Sequence, residues 1–209
     1  MGAERIAVVG VDPGSRLGWA GPHGSGTVNV ERRVGTKKRR EEPEWARMGH
    51  VWGAISRIVY DTIAPDMRVL VVRDGLSALE RAPLPPTALV VEGAPGFTRG
   101  QAAVAVGHNI RGVAKLWCWR YRTLYFEVSP VELKQYATGR AKADKHEMVA
   151  AARARLGYEG ADPDEADAIW LRAFGRARAD ILLERWTALF GPEATEAERK
   201  PARPADAAL

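Results

Sequence analysis

Several things are scarce in this chain, and each scarcity closes off a class of function. One cysteine, Cys118, among 209 residues excludes an internal disulfide framework and suits a reducing cytoplasm; burial as a small apolar side chain is its expected role. No apolar run approaches the roughly 20 residues of a membrane helix, so no membrane partner is expected. The opening residues, Met1 to Arg5, lead straight into a strand without a signal-peptide layout. The four histidines (His23, His50, His108, His146) have no metal-ligand spacing among themselves or with Cys118, which argues against zinc. Neither GxxxxGK[ST] nor G-x-S-x-G occurs, removing the commonest nucleotide and acyl-transfer readings. Amides are rare (Asn29, Asn109, Gln101, Gln135) while Ala and Arg abound. That bias fits a thermophilic source and fits a GC-rich genome equally well.

What is present is the composition of a globular protein: 46% apolar and 27% charged residues. The length allows one large domain or two small ones with a substantial core. A net charge of +5 points to a polyanionic partner.

The organising stretch is Ile6 to Ala20, IAVVGVDPGSRLGWA. β-Branched residues at this density favour a buried strand, and Pro13-Gly14 must end or turn it. One carboxylate, Asp12, is thereby delivered to the end of a central strand, and Leu17 to Ala20 returns as a hairpin partner. A lone Asp before Pro-Gly is more often only a turn residue, so a functional role needs other carboxylates to converge on it. Gly26 to Val30 alternates as an edge strand. The polar segment Glu31 to Glu42, with Lys37-Lys38-Arg39-Arg40, reads as a solvated loop or as a phosphate-contacting one.

The spacing predicts a helix over Pro43–Ile63 with Trp45, Met48, Trp52, Ile55 and Val59 on one face. Residues 66–81 favour a helix over a strand, and Pro83, Pro85 and Pro86 end it. Ala88 to Gly96 repeats the opening design: an apolar run delivers Glu92 and breaks at Gly and Pro. A long helix follows from Thr98 to Trp119, with a stripe of Ala102, Val106, Ile110, Val113 and Trp117. Its surplus of apolar surface, with Trp117 and Trp119 close together, suits either a two-fold dimer interface or burial in its own core. Thr123 to Val128 reads as a strand. Capping boxes open helices at Ser129-Pro130-Val131-Glu132 (ending near Gly139), at Asp144 with Glu147, and at Asp162-Pro163-Asp164-Glu165. The last helix runs on past Trp170. The tail from Pro192 is expected to be disordered, leaving residues 1–191 as one domain.

Asp164 and Asp167 stand at i and i+3 on one helix face. Acids in a first helical turn have an ordinary excuse in the helix dipole; Asp12 and Glu92 at strand ends have none comparable. Four carboxylates crowd together only if cations neutralise them. Hard divalent ions with oxygen ligands, Mg²⁺ first and Mn²⁺ second, are then the candidates. Two such ions would clamp the attacking and leaving oxygens of a phosphodiester.

VGVDPGSRLGWA, VVEGA, VSPVELKQYATGRAKADKHEMV and DPDEADAI, in this order and spacing, resemble the RuvC family of Holliday-junction resolvases over most of residues 6–172. The resemblance implies an α/β protein of ribonuclease-H-like fold: a five-stranded mixed sheet flanked by helices, acting as a homodimer on four-way DNA junctions. It implies Asp12, Glu92, Asp164 and Asp167 as catalytic, metal-binding acids. It implies Lys134 and Lys145 as contacts to the DNA near the cut, with Arg140 and Lys142 in the connection between them. Phe97 is the candidate for the family's junction-stacking aromatic, although it lies further behind Glu92 than the pattern has it, and Arg99 joins it as a DNA-binding candidate. The Lys37–Arg40 loop and the stretch from Asp66 to Pro86 depart from the pattern, as a phage-type or thermophile member would. The implied reaction is Mg²⁺-dependent cleavage by paired nicks leaving 5′-phosphates and 3′-hydroxyls. The alternatives are a nuclease of the same fold acting on flaps, forks or RNA–DNA hybrids, and a non-catalytic junction binder. An actin-like phosphotransferase would need a second glycine-rich phosphate loop, which is not seen.

Overall fold

A computed structural model describes residues 5–14, 16–30, 44–63, 84–94 and 101–191. The Lys37–Arg40 loop, residues 66–81, Phe97, Arg99 and the tail from Pro192 lie outside the described residues. The elements run β1 (Ala7–Asp12), β2 (Arg16–Gly21), β3 (Gly24–Asn29), α1 (Glu44–Ile63), β4 (Thr87–Glu92), α2 (Gln101–Arg120), β5 (Leu124–Val128), α3 (Pro130–Thr138), α4 (Lys145–Leu156), α5 (Pro163–Arg176) and α6 (Ala179–Phe190). Among the described residues no helix is long and apolar enough to cross a membrane.

The five strands form one mixed sheet in the order β3-β2-β1-β4-β5, flanked by helices as the resemblance implies. β1 pairs antiparallel with β2 and parallel with β4, and β4 pairs parallel with β5. The central strands are apolar on both faces, as strands covered on both sides must be. Alternation sends Val8, Ala88 and Val90 into one core beneath α3–α6 and Val9, Val11, Leu89 and Val91 into another beneath α1 and α2. The edge strand anticipated at Gly26–Val30 is β3, which starts two residues earlier and ends one residue earlier.

Local signals set most helix ends. Ser129 accepts from the Glu132 N–H at 3.1 Å, Pro130 opens α3, and Gly139 closes it at φ 75°. Asp144 and Glu147 form both halves of a capping box at 2.9 Å. Two helix ends differ from the sequence expectation. Asp162 accepts from Asp164 N at 3.1 Å, while Glu165, expected to complete a box, takes the Ser25 hydroxyl at 2.7 Å and the Tyr158 hydroxyl at 3.0 Å. The single last helix is two: α5 ends at Arg176 and α6 starts at Ala179. Arg178 at the break lays its guanidinium 3.4 Å over the ring of Phe174, four residues earlier.

α1 and α2 cover the second core. The buried face of α1 is Val51, Ala54, Ile55, Ile58 and Val59, which leaves Met48 and Trp52 at its margin rather than its centre. In α2, Ile110 and Trp117 are buried as the stripe required. The Trp117 indole donates to Ser56 Oγ at 2.8 Å, so this tryptophan is used inside the protomer and not at a surface. Trp119, 64% exposed, and Leu116, 60% exposed, remain outside. Cys118 is buried, and burial pushes its thiol pKa up, as expected of an inert structural cysteine.

The tightest packing is α5 against the sheet. A methyl group on Gly10 would lie 2.2 Å from Ala168 O, and one on Gly18 would lie 2.0 Å from Asp164 O. On the helix side, one on Gly175 would meet Val8 and Val90 methyls at 2.7 Å. Gly18→Ala must therefore lift the first turn of α5 off β2, at about 1–3 kcal/mol by the usual cost of overpacking. Gly53→Ala, in α1 with open space around it, should instead gain roughly 0.5–1 kcal/mol. Urea melts of the two variants should move in opposite directions; a neutral Gly18→Ala would show that the close seating is not needed.

Candidate active site

Register brings the first two acids together. Val11 pairs with Val91 across parallel β1 and β4, so Asp12 and Glu92 are neighbours at the strand ends. They share the parity of Val8 and Val90 and so face α5. α5 is held over this point from both sides of the Asp164 turn. Arg16 of β2 pairs with Asp162, and Ser25 and Tyr158 hold Glu165. Asp164 and Asp167, one turn apart on one helix face, lie close enough to the strand ends for both to act on Asp12.

The electrostatics tie the strand acids to the helix acids. Burial raises the Asp12 pKa well above the usual carboxylate range, and Glu92, Asp167 and Asp164 raise it further. Glu92 is raised by burial against the opposing effects of a hydrogen bond with Asp12 and the charges of Lys134, Arg111 and Lys145. Two carboxyls can share a hydrogen bond only if one carries a proton. Asp167 is pushed up to about 7 by burial and by Glu92, and its Oδ1 is buried without a hydrogen-bond partner.

The four acids do not form a ready-made cage: among the described residues no group of three or more acidic, His or Cys side chains is arranged to hold a metal ion. Asp164 is turned to Lys145 instead, with Nζ at 3.2 Å from Oδ1. The donor set nevertheless fits a hard divalent cation. It consists only of carboxylate oxygens, it is over-supplied with negative charge, and one buried oxygen lacks any partner.

Of the basic candidates, Lys145 and Lys134 stand at the acids. Burial works against the Lys145 charge, but its hydrogen bond to Asp164 and the nearby Asp164, Asp167 and Asp12 outweigh it and raise its pKa. Lys134 acts on Glu92 and Asp167. Arg140 is instead committed to Glu147, and Lys142 is exposed in the turn before α4. The sequence reading missed Arg111, a buried cation near Glu92. The signal was there: Gly107, Arg111, Ala114 and Cys118 recur at helical spacing, and only one of them is charged.

Asp167 sets a pH dependence. Its folded pKa of about 7 lies above the ordinary 3.8 of the unfolded chain. Between those values the folded state holds a proton that the unfolded state has lost, so stability falls as pH rises through this window. In EDTA, Asp167→Asn should flatten the loss of Tm between pH 5 and pH 8 and melt higher at pH 8 by about 3 °C or more, about 1 kcal/mol in a chain of this size. An undiminished loss in the variant would mean Asp167 is ionised throughout.

Two curated relatives align along most of the chain. A crossover junction endodeoxyribonuclease RuvC of Anaeromyxobacter dehalogenans is 30% identical over 176 residues, 83% of this chain and 82% of the relative. One of Rubrobacter xylanophilus is 29% identical over 161 residues, 76% of this chain and 78% of the relative. No family model matches. Among solved structures, Thermus thermophilus RuvC superposes with a TM-score of 0.52 at 21% identity, and the same protein in complex with a Holliday junction substrate with 0.54 at 20%. Each covers 88% of this chain and 96% of that one. At these identities the likeness is one of fold, ribonuclease-H-like.

Proposed function

The chain belongs to the RuvC family of crossover junction endodeoxyribonucleases, and from that premise we propose that it resolves four-way DNA junctions by paired symmetric nicks, leaving 5′-phosphates and 3′-hydroxyls. The observation that carries the reading is the assembly of Asp12, Glu92, Asp164 and Asp167 from three elements at one end of the sheet, where burial and neighbouring acids raise the Asp12 and Asp167 carboxyls and an Asp167 oxygen is orphaned. A fold has no structural use for such a group, because each added carboxylate costs stability. These four side chains would hold Mg²⁺, two ions per site, with Mn²⁺ as substitute. Bound there, the ions supply the alignment and activation of water for in-line attack on a phosphodiester.

The chain's own residues do the rest. Lys134 and Lys145 border the acids from α3 and the start of α4, where a scissile strand would pass. Lys142 and Arg140 extend the basic surface, Arg140 once it leaves Glu147. Paired nicks require two sites related by two-fold symmetry, and the exposed Leu116 and Trp119 of α2 support a homodimer. The reading places the enzyme in the cytoplasm, with branched DNA as its partner.

Single-turnover cleavage of a synthetic four-way junction should need Mg²⁺ and stop in EDTA, and a duplex, a fork and an RNA–DNA hybrid should be cut far more slowly. Asp12→Asn should lower the rate by orders of magnitude while junction binding in EDTA persists. A rate within about tenfold of wild type, less than ~1.4 kcal/mol of barrier, would remove these acids from the chemistry. Faster cutting of the hybrid or fork would replace the junction as substrate. Binding with no cutting by wild type would leave a non-catalytic binder.

Lys145→Ala tests the DNA path. Losing one phosphate contact should reduce the slope of log affinity against log salt by about 0.9, equally on all sequences. An unchanged slope would take Lys145 off the DNA.

A further inference from the structure

Tyr158 stands in the connection between α4 and α5, and no step of the proposed reaction uses it. Its single hydroxyl nevertheless bridges both sides of the turn that presents Asp164. It accepts from the Asp162 N–H at 3.0 Å, and it lies 3.0 Å from Glu165 Oε2 and 3.2 Å from Asp162 O. A phenol has one proton to give. The carboxylate is the stronger acceptor, because a bond to a charged oxygen is about twice as strong as a neutral one. Glu165 therefore takes the proton, and the residues on either side of Asp164 are tied to one oxygen atom.

The ring that carries this hydroxyl is itself held. Gly157 closes α4 at φ 68°, and the Tyr158 N–H donates back to Ala152 O at 3.3 Å. The half-buried ring packs against the core that contains Val8 and Val90. Arg153 donates twice to Gly160 O, at 2.9 and 2.7 Å, which pins the loop beyond it. A methyl group on Gly160 would lie 2.4 Å from the phenol oxygen, so the hydroxyl sits where only bare main chain leaves room.

Each partner passes the restraint on. Asp162 caps α5: its Oδ1 takes the Asp164 N–H at 3.1 Å, and its carbonyl takes the Ala166 N–H at 3.0 Å. The other carboxyl oxygen of Asp162 takes Arg16, whose side chain is half exposed, where an ion pair contributes little. Glu165 Oε1 takes the Ser25 hydroxyl of β3 at 2.7 Å. Loop, helix cap and sheet edge are thus joined through Tyr158. The turn they enclose lies directly on Gly18 of β2, so any slide of it would carry Asp164 and Asp167 across the strand ends together.

We propose that Tyr158 is a positioning residue: by tying Asp162 and Glu165 to one atom it seats the first turn of α5, so that Asp164 and Asp167 are in place when a divalent cation binds. The inference rests on the metal-dependent reading above. Groups that orient metal ligands without touching the metal are typically worth about 10–100-fold in affinity or activity.

The test uses the full chain and MgCl₂ alone as probe. Tyr158→Phe keeps the ring and removes the oxygen. The midpoint of the Mg²⁺-dependent rise in Tm should shift upward about tenfold, and the Mg²⁺ dependence of single-turnover junction cleavage should shift in parallel. Tyr136→Phe is the control, because it removes a hydroxyl that donates to Ala173 O at 3.3 Å further along the same helix; its midpoint should stay at the wild-type value. A folded Tyr158→Phe with a midpoint within about threefold of wild type, well short of the usual effect, overturns the proposal and makes the hydroxyl structural only. An equal shift in Tyr136→Phe overturns it in favour of a general loosening of α5. Junction affinity in EDTA should be unchanged in Tyr158→Phe, and a loss there overturns the assignment in favour of a DNA contact. If Tyr158→Phe gives no cooperative melt, Ser25→Ala decides: an upward shift supports the clamp through Glu165, and an unmoved midpoint overturns it. Wild-type protein showing neither a Mg²⁺-dependent Tm nor Mg²⁺-dependent cutting defeats the metal site itself, an outcome distinct from all the others.

Discussion

The structure depends on backbone meeting backbone where α5 lies across β1 and β2. Gly10 and Gly18 present bare main chain to the carbonyls of Ala168 and Asp164, and Gly175 presents bare helix to Val8 and Val90. Any side chain at these points would hold helix and sheet apart. Because Asp164 itself lies over Gly18, the closeness of this contact sets how near the helix acids come to the strand acids. Packing and site geometry are here one constraint: what seals Val8, Val90, Leu171 and Phe174 into a core also carries two carboxylates onto Asp12 and Glu92.

That arrangement is electrostatically costly, and the surroundings offset the cost. The Arg16–Asp162 pair and the Ser25–Glu165–Tyr158 hydrogen bonds fasten the first turn of α5 to the β2–β3 hairpin. At the other side of the helix the Trp170 indole donates to Met148 O at 3.1 Å, tying α5 to α4, whose first residue is Lys145. The four acids are therefore held together by contacts that residues outside the group make. Burial raises the Asp12 and Glu92 carboxyls, and at Asp12 the neighbouring acids add to it. Cations on the two faces of the sheet differ in kind. Lys134 and Lys145 reach solvent and can exchange partners, whereas Arg111 is enclosed and has one environment.

Much of this was legible from residue order alone, for reasons that are local. Asp12 and Glu92 announce themselves because an apolar strand interrupted by Gly and Pro can end only one way. Asp164 and Asp167 follow from helical spacing, and the Ser129 and Asp144 caps from side chains that satisfy nearby N–H groups. Chain order and spacing were enough to identify the family, because four separate motifs must then agree. Other features were invisible for an equally physical reason. Nothing local distinguishes a glycine that admits a helix from one that merely tolerates a turn. Glu165 leaves its expected capping role for the hydroxyls of Ser25, 140 residues away, and Tyr158, partners that the local sequence does not announce.

Residue order alone is enough to tell which acids end strands, where most helices begin, and which faces are apolar, since these depend on neighbours within a few positions. Tertiary packing is what encloses Trp117 against α1 while Trp119 faces out, gives Arg140 to Glu147, and buries Arg111 within α2's apolar face. It also decided that the four acids meet as a mutually repelling group and not as a finished cage. Charge interactions of this kind depend on distances across the fold and on burial, and neither quantity exists until the sheet has formed and α5 has closed onto it.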